Sequence, residues 1–295
     1  MSQKLIAIVG PTASGKSSLG VKLAGRCNGE VVSADSRQVY KGLDIGSGKI
    51  TKKEMMGIPH HLLDVASPAR KFSVAQYQKL ALKAIRQIQK RGSLPILVGG
   101  TPFYVYAVVD GYVFPEVTPN PTLRKKLEQL SVGQLLEKLK KLDPRRAGTI
   151  EPKNKRRLVR ALEIVMTTGK PVPELKTHTP LFDVLMIGIK RSPEELKKRI
   201  HKRMLKRLKE GMIEEVRSLQ KSGLSWKRLE EFGLEYRFVA RYLQQKISYK
   251  AMVNSLEKAI NDFARRQMTW FKKDYRIHWV SSRSEAERLS KRFLQ

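Results

Sequence analysis

The segment "LIAIVGPTASGKSSLG" constrains the fold most strongly, because it joins an apolar run to a complete phosphate-binding loop. A short apolar run that ends in glycine predicts a buried strand, and the residues after the loop have the pattern of a helix. The loop fits G-x-x-x-x-G-K-[ST], in which glycines let backbone N–H groups converge on phosphate oxygens. The loop residues are Gly10, Pro11, Thr12, Ala13, Ser14, Gly15, Lys16 and Ser17. We therefore predict a diphosphate or triphosphate cradle, with Lys16 as a point charge and the Ser17 hydroxyl as a ligand for Mg²⁺.

Strand and helix patterns alternate through the first third of the chain. "GEVVSAD" and "LPILVGG" are typical of short buried strands, and "FSVAQYQKLALKAIRQIQKRG" between them has apolar residues at helical spacing. Such alternation indicates parallel strands joined by right-handed crossovers. The predicted fold class is therefore α/β, a P-loop NTPase-like parallel sheet flanked by helices.

A second pattern interrupts this alternation. The proline-rich connector "FPEVTPNPT" leads into residues 123–170, which are typical of short helices, and "GKPVPELK" forms another connector. "FDVLMIGIKRS" then returns to a buried strand, and a long basic helix is expected from about Pro193 to Gln220. We predict a catalytic core with basic C-terminal helices from residues 1–112 and 182–295. Residues 113–181 are predicted to be an inserted helical subdomain.

The chain is strongly basic. It has 59 Lys and Arg against 27 Asp and Glu, a formal net charge of +32 and a pI near 10.3. Basic clusters recur at "KNKRRLVR", "KKRIHKRMLKRLK" and "ARRQMTWFKKDYR". Any one cluster could be a solvated helix face, but together they favour a surface that binds a polyanion, and nucleic acid is the leading partner.

Other features of the composition place the protein. A single cysteine, Cys27, excludes an intrachain disulfide and a Cys-rich zinc module. No apolar run approaches the ~20 residues of a membrane span, and "MSQKLIAIVG" enters a strand without a signal peptide. The adjacent His60 and His61 lack further ligands at useful spacing and are predicted to be structural. We expect a cytoplasmic protein that acts as a monomer and does not bind a membrane.

The position of the acidic group is unusual for a phosphate-loop protein. A kinase or nucleotide hydrolase of this class needs an apolar strand that ends in Asp to support its metal, but "LPILVGGTPFY" ends in Gly-Gly-Thr. Thr101 can either cap the next helix or reach into the site. Asp35 ends "VVSAD" at the carboxyl edge of the predicted sheet, where ligands of open α/β sheets bind. The alternative for Asp35 is that it caps the following turn.

Several motifs together resemble one family. "GPTASGKS", "SADSRQVYKGLDIGSGK", "GIPHHLLD", "LVGGTPFYVYA", "NKRRLVRALE" and "RRQMTWFKK" are similar, in order and spacing, to the tRNA dimethylallyltransferases, also called isopentenyl-tRNA transferases. The likeness extends from about residue 4 to about residue 275. "DSRQVY" and "GGTPFY" are more specific than the phosphate loop. The bacterial type fits better than the eukaryotic type, whose zinc-finger tail is absent.

This resemblance implies transfer of a dimethylallyl group from dimethylallyl diphosphate to N6 of adenosine 37, 3′ of the tRNA anticodon, with Mg²⁺ and release of diphosphate. It implies that Thr12–Ser17 and Arg203 bind the diphosphate, and that Asp35, Thr101 and Arg203 are catalytic, with Asp35 as the candidate base. For Arg203 the bland alternative is a solvated helix residue. The implied tRNA-binding residues are Asp35, Ser36, Arg37, Gln38, Thr101, Arg156, Arg157, Leu158, Val159 and Arg160.

The sequence departs from the family pattern at one place. Bacterial members commonly read Ile-Gly-Tyr-Lys-Glu where this chain has "FGLEYR", which leaves the role of Phe232–Arg237 open. Two other functions would each explain part of the sequence. A P-loop small-molecule or nucleoside kinase would explain the loop but not the charge of +32. A non-catalytic RNA-binding module would explain the charge but leave the phosphate loop without a function.

Overall fold

The computed structural model describes residues 3–174, 177 and 181–295. The chain divides into two units: residues 1–111 together with 179–295 form unit 1, and residues 112–178 form unit 2. Leu175 and Lys176, at the end of the predicted connector "GKPVPELK", lie outside the described residues. Residues 178–180, near the end of the predicted subdomain, also lie outside them.

Unit 1 is built on a parallel sheet. In the described part of the chain its strands are β1 (Gln3–Val9), β2 (Gly29–Ser33), β3 (His60–His61), β4 (Leu94–Gly99), β5 (Phe182–Ile189) and β6 (Ile277–Val280). Their order is β3-β2-β4-β1-β5-β6 and every pairing is parallel. The central strand β1 places Ile8 beside Val98 of β4 and Ile187 of β5. The predicted α/β class with a parallel sheet flanked by helices is confirmed.

Helices cover the sheet of unit 1. Those described are α1 (Lys16–Arg26), α2 (Lys52–Met55), α3 (Val74–Lys90), α4 (Pro102–Val109), α9 (Pro193–Lys209), α10 (Met212–Lys221), α11 (Trp226–Phe232), α12 (Leu234–Leu243), α13 (Tyr249–Phe271) and α14 (Arg283–Leu294). Leu19 and Leu23 of α1 pack against Ile6, Ile96 and Ile187 of the strands in one apolar core. None of the described helices combines the length and the apolar character needed to cross a membrane.

One predicted helix is wrong. The expected single helix from Pro193 to Gln220 is two helices, α9 and α10, which are separated at Glu210 and Gly211. Gly211 has φ of +100°, a conformation that side chains rarely adopt and that glycine allows. The basic residues continue across this point, so charge pattern alone did not reveal the break. The break lets α9 and α10 present their buried side chains to different neighbours.

Unit 2 is helical. Its described helices are α5 (Pro121–Gln129), α6 (Val132–Leu142), α7 (Pro144–Thr149) and α8 (Lys155–Thr168). Leu135 and Leu139 of α6 pack with Leu158 and Leu162 of α8 in a separate apolar core. Helix α7 was not predicted from the sequence. It begins after Asp143, whose buried carboxylate accepts hydrogen bonds from the N–H groups of Arg146, at 2.9 Å, and Val172, at 2.7 Å.

Candidate active site

The phosphate loop joins the carboxyl end of β1 to the start of α1. Gly10 has φ of +142° and Gly15 has φ of +104°, which explains the two glycines of the motif. Helix α1 begins without a side-chain cap, so the N–H groups of its first turn are available to an anion. The Ser14 hydroxyl is buried and has no hydrogen-bond partner among the described residues. The loop thus has unused donors in the arrangement that an anionic ligand requires.

Side chains from distant elements hold this loop in shape. Arg199 of α9 donates a hydrogen bond to the carbonyl of Ala13 at 2.8 Å, and the Lys16 ammonium donates to the carbonyl of Pro11 at 2.6 Å. The backbone N–H of Thr12 donates to Oε1 of Gln267 at 2.8 Å. These contacts tie the loop to both long helices, α9 and α13, and keep its backbone fixed before any ligand binds.

Gln267 is a site residue that sequence reasoning missed. Its Oε1 accepts from the phosphate loop, while its Nε2 donates to the carbonyl of Gly100 at 2.5 Å. It therefore joins the loop after β1 to the turn after β4. The available signal was its place in a buried helical stripe with Ala264 and Phe271, where an amide is the polar member of an otherwise apolar series.

Lys16 and Arg203 form a cationic pair at the loop. The pKa of Lys16 is lowered to about 7, chiefly by burial and also by the charge of Arg203, while the carboxylate of Asp35 opposes both effects. Arg203 of α9 donates a hydrogen bond to the Thr12 hydroxyl, and burial lowers the pKa of Arg203 to about 9. Arg203 is therefore placed at the phosphate loop, and the solvated-face alternative for it is excluded. Two buried cationic side chains at one loop favour the binding of an anion beside them.

Asp35 lies just beyond the end of β2, at the same edge of the sheet as the phosphate loop. Its Oδ1 accepts hydrogen bonds from the N–H groups of Arg37, at 2.8 Å, and Gln38, at 3.3 Å. The turn-capping role considered as an alternative is thus present. Its Oδ2, however, has no hydrogen-bond partner in the described part of the chain and is free to accept a proton. The half-buried side chain can serve both purposes at once.

Thr101 contacts the segment that contains Asp35. It occupies the residue before α4, but its side chain makes no capping hydrogen bond to that helix. Its Oγ1 instead accepts from the N–H of Ser36 at 3.1 Å and donates to the Ser36 hydroxyl at 3.4 Å. The hydroxyl therefore reaches into the site, which was one of the two expectations for this residue.

The predicted tRNA-contacting stretch 156–160 lies on α8 in unit 2. Arg156 and Arg157 are exposed, whereas Leu158 and Val159 are buried in the core of that unit. Arg160 donates hydrogen bonds to the carboxylate of Glu163 at 2.6 Å and to the carbonyl of Val117 at 3.0 Å. A role in tRNA binding stays a prediction for this stretch, and Leu158 and Val159 could take part through their backbone alone.

A metal ion would have few protein ligands here. No three His, Cys, Asp or Glu side chains within residues 3–174, 177 and 181–295 are arranged to hold a metal. His61 pairs with Glu30 at 2.6 Å and His60 contacts the carbonyl of Ile58 at 2.8 Å, as expected of structural residues. The exposed Ser17 hydroxyl, in the first turn of α1, is the oxygen donor that the loop motif assigns to a metal.

These features define a P-loop enzyme that acts on a phosphorylated substrate: a phosphate cradle, a cationic pair and a carboxylate meet at the carboxyl edge of a parallel sheet. The model of the IPP transferase family matches residues 38–274. The chain belongs to the IPP transferase family, and the resemblance seen in the sequence is confirmed.

Relatives that cover nearly all of this chain support this assignment. A protein of Citrifermentans bemidjiense named tRNA dimethylallyltransferase 2 is 44% identical over 285 residues, which cover 95% of this chain and 92% of the relative. The crystal structure of the full-length tRNA isopentenylpyrophosphate transferase from Bacillus halodurans is 37% identical, with a TM-score of 0.75, covering 99% of this chain and 97% of that one. The crystallographic structure of a eukaryotic dimethylallyltransferase acting on tRNA is 27% identical, with a TM-score of 0.81. The match covers 99% of this chain and 77% of that one.

Proposed function

We propose that this chain is a tRNA dimethylallyltransferase, which transfers the dimethylallyl group of dimethylallyl diphosphate to N6 of adenosine 37, 3′ of the anticodon, and releases diphosphate. One observation carries the proposal. Asp35 stands at the same sheet edge as the phosphate loop and its pair Lys16 and Arg203, so a base for an amine lies beside a site for a leaving diphosphate. We also propose that the enzyme acts as a cytoplasmic monomer.

Asp35 is the proposed general base. The exocyclic amine of adenine is a weak nucleophile because its lone pair is delocalised into the ring. As N6 forms a bond to C1 of the prenyl group and the C1–O bond breaks, the proton lost from N6 passes to the carboxylate of Asp35. The two N–H groups that bind Oδ1 hold the carboxylate in place and leave Oδ2 to take that proton.

The phosphate loop and the cationic pair would stabilise the leaving group. Negative charge grows on the diphosphate as the C1–O bond breaks, and the free N–H groups of α1, the Lys16 ammonium and the Arg203 guanidinium would stabilise that charge. The site fits Mg²⁺, because this ion takes few protein ligands when a substrate supplies phosphate oxygens, and Ser17 provides a hydroxyl. When bound, Mg²⁺ would neutralise charge on the diphosphate.

A kinase is disfavoured by the end of β4. A side chain at residue 99 would place its Cβ 2.1 Å from the carbonyl oxygen of Ala34, and one at residue 100 would place it 2.5 Å from Nε2 of Gln267. An acidic side chain at residue 99 would thus collide with the backbone of Ala34, at the strand end where a kinase of this class would hold its metal. The carboxylate that we propose for the site is Asp35, just after the end of the neighbouring strand β2.

The test of this function is direct. The protein is incubated with dimethylallyl diphosphate, Mg²⁺ and bulk bacterial tRNA, and the digested nucleosides are analysed by mass. We expect N6-dimethylallyl adenosine to form only when all components are present. ATP turnover with small nucleoside acceptors, without prenylated nucleosides, would contradict the proposal and support the kinase instead.

The exposed arginines of α8 provide a prediction about tRNA binding. The target base must leave its stack, which costs a few kcal/mol, so contacts with the stem backbone have to compensate. We expect replacement of Arg156 and Arg157 by glutamine to weaken binding of the anticodon stem-loop and to flatten its salt dependence by a slope of up to about 2, because fewer counterions are released. Binding of each variant is measured between low and moderate salt.

One variant serves as a control for that measurement. Lys141→Gln removes an exposed charge from α6 of the same unit. An unchanged salt slope and affinity in the Arg156 and Arg157 variant would return "KNKRRLVR" to a solvated helix face.

A further inference from the structure

The hexapeptide "FGLEYR", Phe232–Arg237, has no part in the reaction described above. The side chain of Tyr236 contacts the segment "GLDIGSGK", which we call the 42–49 loop after its residue numbers. Glu235 is buried and its pKa is raised by that burial, while the hydroxyl of Tyr236 reaches the loop backbone. Tyr236 and Glu235 therefore both have partners within the protein.

Glu215 of α10 is the centre of this contact. Its carboxylate accepts hydrogen bonds from the N–H groups of residues 44, 45 and 46, at 3.0, 2.5 and 3.0 Å. The Tyr236 hydroxyl donates to Oε1 of Glu215 at 2.8 Å and accepts from the N–H of Ser47 at 3.1 Å. Four successive backbone donors thus converge on one carboxylate and one hydroxyl. Hydrogen bonds from N–H groups to a charged acceptor are stronger than neutral ones, so these contacts help to hold the backbone of the turn, together with the loop's own contacts through Ser47 and Lys49.

The glycines of the loop are explained by the same contact. A side chain at residue 46 would place its Cβ 2.8 Å from Cζ of Tyr236. At Gly48, which has φ of +62°, a Cβ would lie 1.4 Å from the guanidinium of Arg207. Arg207 is buried and pairs with Glu235 at 3.2 Å. Both glycines permit the close approach of side chains from α9 and α12.

The loop leads directly to the candidate active site. The carbonyl of Gly48 accepts a hydrogen bond from Nε2 of Gln38 at 3.2 Å. The N–H of Gln38 in turn donates to Oδ1 of Asp35. A displaced 42–49 loop would therefore release the Gln38 side chain, which lies three residues from the proposed base.

We infer that Glu215 and Tyr236 are positioning residues, which hold the 42–49 loop so that Gly48 orients Gln38 toward the target adenosine. The inference rests on the proposed function, because that function supplies the target adenosine. The contact of Glu215 and Tyr236 with the 42–49 loop is seen in the structure independently of that function. It also assigns a role to the hexapeptide that departs from the family pattern: Tyr236 completes the binding of the loop, and Glu235 neutralises the arginine that packs on Gly48.

The first experiment compares Glu215→Gln and Tyr236→Phe with the wild type in steady-state kinetics. Because one lost hydrogen bond to a charged group changes a binding constant by about 10-fold, we expect kcat/KM for the anticodon stem-loop to fall about 10-fold or more. The KM for dimethylallyl diphosphate should stay within about twofold, since the phosphate loop is untouched. Tyr236→Phe removes a hydroxyl alone and keeps the ring, which guards against a folding defect.

The matched control is Glu214→Gln. Glu214 is the neighbouring residue on α10, is exposed and pairs with Arg217 on the same helix. The Glu214→Gln variant loses the same charge as Glu215→Gln but leaves the contact with the 42–49 loop intact, so its kinetics should equal those of the wild type. A general effect of charge on tRNA binding would change Glu214→Gln and Glu215→Gln equally and would overturn the inference.

A second experiment tests whether the contact of Glu215 and Tyr236 with the 42–49 loop acts through Gln38. Gln38→Ala is combined with Glu215→Gln, and the losses in kcat/KM are compared. We expect the double variant to lose little more than Gln38→Ala alone, because the amide that the loop orients is already gone. Fully additive losses would overturn the inference.

Amide hydrogen exchange tests the contact between Glu215 and the 42–49 loop in the absence of any substrate. In Glu215→Gln the N–H groups of residues 44–47 should exchange at least about 10-fold faster than in the wild type and in Glu214→Gln. Unchanged exchange at these positions would overturn the inference, whatever the kinetics. A wild-type protein that does not modify tRNA would contradict the proposed function, whereas an active enzyme with unaffected variants would contradict this inference alone.

Discussion

Asp35→Asn is expected to lower the rate of prenyl transfer by ~10²–10⁴-fold, the range for loss of a positioned general base. The amide oxygen of asparagine can still accept the hydrogen bonds from the N–H groups of Arg37 and Gln38, so the turn after β2 should keep its shape. The amide cannot take the proton from N6. The rate is measured in single turnover, with both substrates bound, so that weaker binding does not enter.

The comparison for this variant has two parts. Binding of the anticodon stem-loop should remain within a few-fold of the wild type, because the substitution keeps the contacts of the segment. Asp183→Asn, which removes an exposed carboxylate near the start of β5, should have no effect. Near-normal single-turnover transfer by Asp35→Asn would remove Asp35 from the mechanism.

Arg203→Met is expected to weaken binding of dimethylallyl diphosphate and slow its transfer by ~10²–10³-fold in combination, as for other donors that stabilise a developing oxyanion. Methionine fills much of the space of the arginine stem and removes the guanidinium that contacts Thr12. Because Arg203 is one cause of the lowered pKa of Lys16, its removal also raises that pKa. Lys16→Met should reduce diphosphate binding in the same way.

The control for the cationic pair is Lys202→Met. Lys202 precedes Arg203 on α9 but is exposed, so this variant removes the same charge from the same helix without reaching the loop. Binding of tRNA in the absence of dimethylallyl diphosphate should be nearly unchanged in the Lys16 and Arg203 variants. A variant that lost affinity for tRNA and retained affinity for the diphosphate would place its residue on the tRNA surface instead.

The buried pair of Arg207 and Glu235 lies between the 42–49 loop and Arg203 and affects the pKa of Arg203. Arg207 contributes to the lowered pKa of Arg203, while the charges of Glu235 and Asp35 oppose it. The pKa of Arg203, a proposed diphosphate-binding residue, therefore depends partly on the pair of Arg207 and Glu235, whose arginine packs on Gly48 of the 42–49 loop. This arrangement places the leaving-group site and the proposed adenosine-reading segment in one electrostatic environment.

Local patterns determined the elements around the phosphate loop. The apolar run before Gly10, the glycines of the motif and the helical spacing after Lys16 each restrict the backbone within a few residues, which is why β1, the loop and α1 could be predicted. The alternation of further strands and helices was enough to predict a parallel sheet, and the end of "VVSAD" was enough to put Asp35 at its carboxyl edge.

Tertiary structure decided which side chains meet at that edge. Gln267 reaches Thr12 across 255 residues of sequence, and Arg203 stands among many cations of α9 that have the same local pattern. Tertiary structure also decided three other features: the break at Gly211, the pairing of Arg160 with Glu163 and the contact of Tyr236 with Glu215. The physical reason is that periodicity encodes the conformation and the buried face of an element, whereas the partner of a polar side chain depends on residues brought near it by packing.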